Sequence, residues 1–255
     1  MNEIKVYQNL IINRLNEISA SWNDKGILKD SINYSLLNFG KLLRGTILLV
    51  GLDDLNIDYK EYVDVAAGLE MIQIYTLIHD DLPIMDDAKT RRGKLTNHLV
   101  YNPGISLQAA DALLSDSFKI IAKISERIGT NGICYGQVLD LLNEQKPVEN
   151  KEEILKIIEY KTSSFFILIF EINTFNKLGL YIGYAFQIKD DLNDYLNLSV
   201  GKDNGIDINK STINKIIGIE NTQKLYSDLN KEIEKLIIEN FSNNSLFLKY
   251  IKTIL

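Results

Sequence analysis

The sequence predicts an all-α protein, and three observations carry that prediction. Apolar residues recur at intervals of three and four: Ile4, Tyr7, Ile11, Leu15 and Ile18 near the start, and Leu225, Leu229, Ile233 and Leu236 near the end. Alternating strand patterns bounded by Asn-Gly or Asp-Gly turns are absent. With only 3 prolines and 15 glycines in 255 residues, long stretches run without a breaker. Gly, Pro, Asn and Asp collect at 22–27, 52–58, 83–104, 129–136, 143–153 and 199–211, which are the expected breaks. Between them the spacing predicts helices of about 10 to 25 residues.

No linker or fixed-period repeat divides the chain, so residues 1–255 read as one domain. A composition of 45% hydrophobic and 24% charged residues supports a packed core rather than disorder. The net charge of -6 argues against the basic face that a nucleic-acid binder needs. One cysteine, Cys134, and two histidines allow no internal disulfide and argue against zinc. The longest apolar run, 165–170, is too short to cross a bilayer. The opening Met-Asn-Glu-Ile-Lys has no apolar block and carries an acid, so neither a secretory nor a transit segment is expected, and the expected setting is the cytoplasm.

Two aspartate clusters stand out. In the first, Asp80, Asp81, Asp86 and Asp87 flank Pro83 after an apolar helical run. Proline cannot continue the helix, so the spacing predicts that Asp80 and Asp81 end it while Asp86 and Asp87 fold back toward them. In the second, Gly183, Gln187, Asp190 and Asp194 are spaced 4, 3 and 4, hence on one helix face. Two carboxylates about 5.5 Å apart at an effective dielectric near 20 repel by about 3 kcal/mol, so a partly buried face of this kind favours a cation. Oxygen ligands without Cys or His select Mg²⁺ before Ca²⁺, and Mg²⁺ shares one or two carboxylates with substrate phosphates. The bland alternative is a pair of solvated acidic faces, but both clusters are embedded in apolar sequence. No loop has the glycine and glutamate spacing of an EF-hand.

The cations are just as uneven. Only 5 arginines stand against 23 lysines, and Arg44, Arg91 and Arg92 occupy two short windows. Arginine does what lysine cannot, forking two hydrogen bonds onto a phosphate or carboxylate. Lys41 and Arg44, three apart, are expected on one face of a helix that begins there. Arg91 and Arg92 follow the first acidic cluster, and Lys161, Thr162, Lys202 and Lys210 supply further donors. Surface pairs and local salt bridges would account for each separately. Together with the carboxylates they describe a site for a polyanion, and a diphosphate ester fits.

At these residues the sequence resembles the trans-polyprenyl diphosphate synthases. The matching motifs are Gly40-Lys41-x-x-Arg44, Tyr75 through Pro83 to Lys94, Thr96-Asn97-His98, Gly136-Gln137-x-x-Asp140, Lys161-Thr162, Phe186 through Asp194, and the Gly201-Lys202 loop. The resemblance implies a single-domain isoprenoid-synthase-type helical bundle around a central cavity, acting as a homodimer on small prenyl diphosphates by head-to-tail transfer. It implies three Mg²⁺ ions per active site, with Asp80, Asp81 and Asp86 on one wall and Asp190 on the other. Arg91, Lys161, Thr162, Gln187, Lys202 and Lys210 match the allylic diphosphate site, and Lys41, Arg44, Gln73 and Arg92 match the isopentenyl diphosphate site. Tyr75, five residues before Asp80 and about 7.5 Å deeper along the helix, matches the floor that limits the product, here to fifteen carbons as farnesyl diphosphate.

Geranyl and geranylgeranyl products are the nearest alternatives, followed by a noncatalytic regulatory subunit and a terpene cyclase. Both Asp motifs and the second diphosphate site argue against the last two. Against the family pattern, Leu42 and Gly45 replace Arg and Pro, Gln73 replaces His, Ala88 replaces Asp, and Ser163 replaces Gly. The stretches 121–136 and 165–179 look short, which bears on chain length.

Overall fold

The computed structural model describes residues 2–22, 26–121, 132–171, 175–196, 211–241 and 245–255. The described residues are all-α apart from one two-stranded hairpin. The chain's contacts fall into two compact units, the first within residues 1–123 and the second within 124–255.

The first unit holds α1 (Asn2–Ser21), α2 (Ile27–Leu36), α3 (Leu43–Asp54), α4 (Val63–Asp80), α5 (Asn97–Tyr101) and α6 (Pro103–Ile121). Tyr7, Ile11, Leu15 and Ile18 of α1 are buried, as the stripe predicts. Helix α4 is apolar nearly all round, which suits a central helix, and α1, α2, α3 and α6 pack against it. It stops at Asp80 because Pro83 stands one turn ahead.

The second unit holds α7 (Ile133–Gln145), α8 (Lys151–Ile158), α9 (Ser164–Glu171), α10 (Asn176–Tyr195), α11 (Ile213–Ile217), α12 (Ile219–Asn240) and α13 (Leu246–Ile254). Asn150 caps α8 by accepting the Glu153 N–H at 2.9 Å, with Glu152 and Glu153 in the first turn. Helix α10 packs on α9 and α12, and Ile154, Ile157, Ile158, Ile188, Leu192 and Ile213 form a core beside it. The α12 stripe runs through Leu225, Leu229 and Ile233 to Ile237, which is fully buried where Leu236 was expected. No described helix is long and apolar enough to cross a membrane.

The structure corrects several expected boundaries. Helix α3 runs on to Asp54, α7 to Gln145, and α7 starts at Ile133 inside the break expected at 129–136. Several helices have only five to eight residues. The break at 83–104 contains both α5 and the hairpin β1 (Thr90–Arg91) and β2 (Lys94–Leu95). Its two loop residues, Arg92 (φ 53°) and Gly93 (φ 76°), both lie in the left-handed region, the pattern of a two-residue hairpin turn. Arginine at the first of these positions is an uncommon signal, which is why the strand pattern is invisible in the sequence.

Candidate active site

Past Asp80 the chain reverses on itself. The Asp86 N–H donates to the Asp80 carbonyl at 2.9 Å, and the Met85 and Asp87 N–H groups donate to the Leu82 carbonyl at 2.9 and 3.1 Å. This closed turn brings the two acid pairs together as the sequence predicts. Asp81 is buried and Arg91 grips it, with Nη2 donating to Oδ1 at 2.5 Å and Nε to Oδ1 and Oδ2 at 3.0 and 3.3 Å. Burial pushes the Asp81 carboxyl up, against the pull of Arg91. Burial also works against the Arg91 charge, but Asp81, Asp80 and Asp86 more than offset it and hold its pKa above the usual value. Asp81 therefore anchors Arg91 at the mouth of the acidic turn.

The hairpin turn sends the adjacent arginine elsewhere. Arg92 Nη1 donates to the Asn38 carbonyl at 2.6 Å, and its guanidinium packs against Gly40. Arg44, at the start of α3, shares with it the charge of Glu70, a buried acid in the apolar run of α4. Glu70 accepts the Gly45 N–H at 2.9 Å, a bond that proline at 45 could not make. Burial pushes the Glu70 carboxyl up, and burial brings the Arg44 pKa down to about 10.

Lys41 does not share a helix face with Arg44, contrary to the spacing argument. Leu42 takes a left-handed conformation (φ 48°) and α3 begins only at Leu43. That backbone costs about 1 to 2 kcal/mol, which burial of the Leu42 side chain offsets with about 2 kcal/mol. Lys41 is exposed and its carbonyl accepts from Gln8 Nε2 at 3.0 Å. Gln73 is half-buried on α4, its Oε1 without a hydrogen-bond partner among the described residues. Tyr75 packs edge-on to His79, ring centroids 4.5 Å apart, and His79 Nε2 lies 3.4 Å from Asp111 Oδ1 on α6.

In the second unit one wide turn carries two of the predicted donors. Residues Glu159–Ser163 form a π-helical segment between α8 and α9, and Lys161 and Thr162 sit in it. Such insertions concentrate at functional sites because they re-aim side chains. Two neighbouring glycines make room for the bulge. A β-carbon at Gly136 would stand 2.2 Å from the Lys161 backbone nitrogen, and one at Gly183 would stand 2.4 Å from Ser163 Cα.

Lys161 Nζ contacts Asp140 Oδ2 at 2.5 Å. Thr162 Oγ1 donates to Gln187 Oε1 at 2.9 Å, and Gln187 Nε2 donates to Asp191 Oδ1 at 2.9 Å. Asp191 Oδ2 also accepts the Ile213 N–H at 3.4 Å. Asp190 and Asp194 are half-buried on the same α10 face as Gln187. Lys202 and Lys210 lie outside the described residues.

Among the described residues no three His, Cys, Asp or Glu side chains converge as a ready-made metal cage. The donor chemistry nonetheless fits Mg²⁺, which keeps several waters and takes one or two carboxylates together with substrate phosphate. Asp80 and Asp86, joined by the backbone bond of the turn, are an oxygen-only pair of that kind. Sequence reasoning assigned no role to Glu70 or to the carboxylates of Asp140 and Asp191. For Glu70 the available signal was one acid inside the otherwise apolar run Val65 to Ile72, and for Asp140 its place four residues after Gly136.

Comparison with known proteins places this chain in a family. The polyprenyl synthetase family model matches residues 25–254. The farnesyl diphosphate synthase of Micrococcus luteus is 36% identical over 231 residues, 79% of each chain. Geranylgeranyl diphosphate synthases also occur among the relatives. Among solved structures, a geranyltranstransferase from Thermotoga maritima superposes with a TM-score of 0.86 at 27% identity, covering 99% of this chain and 98% of that one. A Helicobacter pylori geranyltransferase complexed with magnesium and isoprenyl diphosphate shares the fold, with a TM-score of 0.80 at 23% identity and coverage of 100% and 96%. The all-α architecture is thus that of the isoprenoid synthases, and the chain belongs to the polyprenyl synthetase family of prenyl transferases.

Proposed function

We propose that the chain condenses isopentenyl diphosphate head to tail with dimethylallyl and then geranyl diphosphate, giving farnesyl diphosphate. One observation carries this reading: the hairpin turn sends two consecutive arginines to different partners, Arg91 to Asp81 beside the acidic turn and Arg92 to Asn38 beside Lys41 and Arg44. Joining two diphosphate esters calls for two separate anion sites, and one reversed turn supplies a fixed guanidinium for each.

Asp80, Asp81, Asp86 and Asp190 would hold Mg²⁺, three ions per site by resemblance; the magnesium in the Helicobacter pylori structure supports a divalent metal. Bound there, magnesium supplies neutralisation of the charge that builds on the leaving diphosphate. Arg91, Lys161, Thr162, Gln187, Lys202 and Lys210 take the remaining oxygens of the allylic diphosphate. Asp81 holds Arg91 and Asp140 holds Lys161, so each cation needs little reorganisation as charge develops.

Lys41, Arg44, Gln73 and Arg92 hold isopentenyl diphosphate while its double bond attacks the allylic cation. The departed diphosphate then accepts the proton, so no histidine base is required. Tyr75, braced by His79, closes the tail pocket at the length of a fifteen-carbon product. The working form is read as a cytoplasmic homodimer whose chain acts as one domain, 1–255.

The test is incubation with Mg²⁺, isopentenyl diphosphate and dimethylallyl diphosphate, followed by sizing of the dephosphorylated alcohols. Farnesol as the main product is expected. A main product of ten or twenty carbons would revise the chain length, and the absence of any condensed product would overturn the reading.

A further inference from the structure

Gly40 stands just before Lys41, and its backbone does not call for glycine. The described glycines with positive φ are Gly26, Gly93 and Gly218. Position 40 is also exposed, so no core packing excludes a side chain. What excludes one is Arg92. A β-carbon at Gly40 would lie 2.8 Å from Cζ and Nε and 2.9 Å from Nη2 of that residue, and these are its nearest neighbours. Carbon contacts are comfortable at about 3.5 to 4.0 Å, so the two cannot coexist as placed. Near-equal distances to three atoms of one guanidinium put the missing methyl over the face of the group, which therefore lies flat against the Gly40 backbone.

The rest of the clamp agrees. Nη1 of Arg92 is fixed by the Asn38 carbonyl at 2.6 Å, two residues before Gly40. The Arg92 backbone is held at φ 53° in the hairpin turn, a conformation costing about 1 to 2 kcal/mol for a residue with a side chain. Glu70 supports the Arg92 charge against burial and against Arg91.

We propose that Gly40 is a positioning residue for the second diphosphate site: lacking a side chain, it leaves a shelf on which the Arg92 guanidinium rests, held by Asn38, ready to fork onto isopentenyl diphosphate. This rests on the reading of Arg92 given under the proposed function. The obstacle is the far end of a flexible side chain rather than backbone, so a methyl at 40 swings Arg92 aside without disturbing the fold. A glycine kept for folding would behave in the opposite way.

The experiment is a double-mutant cycle of Gly40→Ala and Arg92→Ala, with KM measured for each substrate at saturating levels of the other. Gly40→Ala should raise the KM for isopentenyl diphosphate by about tenfold or more, the size of one lost charge-assisted hydrogen bond, and leave the allylic KM within about twofold. The double variant should match Arg92→Ala alone, since no guanidinium is left to displace. Multiplying effects, an equal rise in both KM values, or no rise at all would overturn the proposal. A crystal structure of Gly40→Ala separates this from the functional reading. Should the unaltered protein make no condensed product, a guanidinium moved off Asn38 would still support the shelf, and one left in place would refute it.

Discussion

The two cation–carboxylate pairs are built by opposite means. Arg91 reaches Asp81 from the end of β1, just before a two-residue hairpin turn, after a helix has been ended by Pro83 and folded back through Asp86. Lys161 reaches Asp140 from a helix that never ends, only widens by a π turn, between helices that carry glycine where the bulge presses on them. The first device depends on backbone conformation that few residues adopt. The second depends on empty space in a neighbouring helix. Each fixes a cation beside a carboxylate, but they should fail differently when disturbed.

The largest expected effect lies in the acids proposed to hold magnesium. Asp80→Ala and Asp190→Ala should each lower prenyl transfer by about a thousandfold or more, with melting temperature little changed, since neither substitution harms helix propensity. Near-normal turnover in a radiolabelled isopentenyl diphosphate assay would contradict the assignment.

Next come the carboxylates that hold the cations. The Asp81 side chain is 5% exposed and that of Asp140 12%, so Asp81→Ala should cost about 3 kcal/mol or more and Asp140→Ala less, as urea unfolding would read. The reverse order would show that the hairpin, not the ion pair, holds Arg91.

The glycines sharpen the contrast further. Gly136→Ala pushes a methyl into the Lys161 backbone and should destabilise by about 1 to 3 kcal/mol while raising the allylic KM. Gly93→Ala meets open space and should cost only the left-handed backbone, about 1 kcal/mol. Equal losses would mean that the π turn can slide.

The smallest effect concerns pH. Burial lowers the pKa of both His79 and His98, so the folded chain binds fewer protons than the unfolded one as pH falls below about 6.5. Stability from these two groups is present above that pH and is lost on acidification. Their contribution to the melting temperature should therefore fall from pH 7 toward pH 5.5, opposed by the raised Asp81 and Glu70 carboxyls, and His98→Gln should make the fall smaller. An unchanged slope would place the effect in His79 or elsewhere.

Much of this was legible in the sequence, and the gaps have physical reasons. The α1 stripe, the stop at Pro83 and the shared face of Gln187, Asp190 and Asp194 follow from helical period and proline geometry alone. Lys41 was misplaced because burial of Leu42 overrides the local preference that would have started α3 earlier. The hairpin escaped notice because Arg-Gly is a poor turn signal, stabilised here by what the Arg92 side chain touches. The π turn leaves no mark in Glu159-Tyr160-Lys161-Thr162-Ser163; its cause lies in Gly136 and Gly183 on other helices. Glu70 carries no legible role in the sequence, because its partners, the Gly45 N–H and Arg44, come from α3.

That neighbouring arginines serve different diphosphates can be tested in one set of kinetics on Arg91→Ala and Arg92→Ala. Arg91→Ala should raise the allylic KM by about tenfold or more and leave the isopentenyl KM within about twofold, and Arg92→Ala should do the reverse. If each variant raised both constants alike, the turn would serve one anion, and the two-site account would fail.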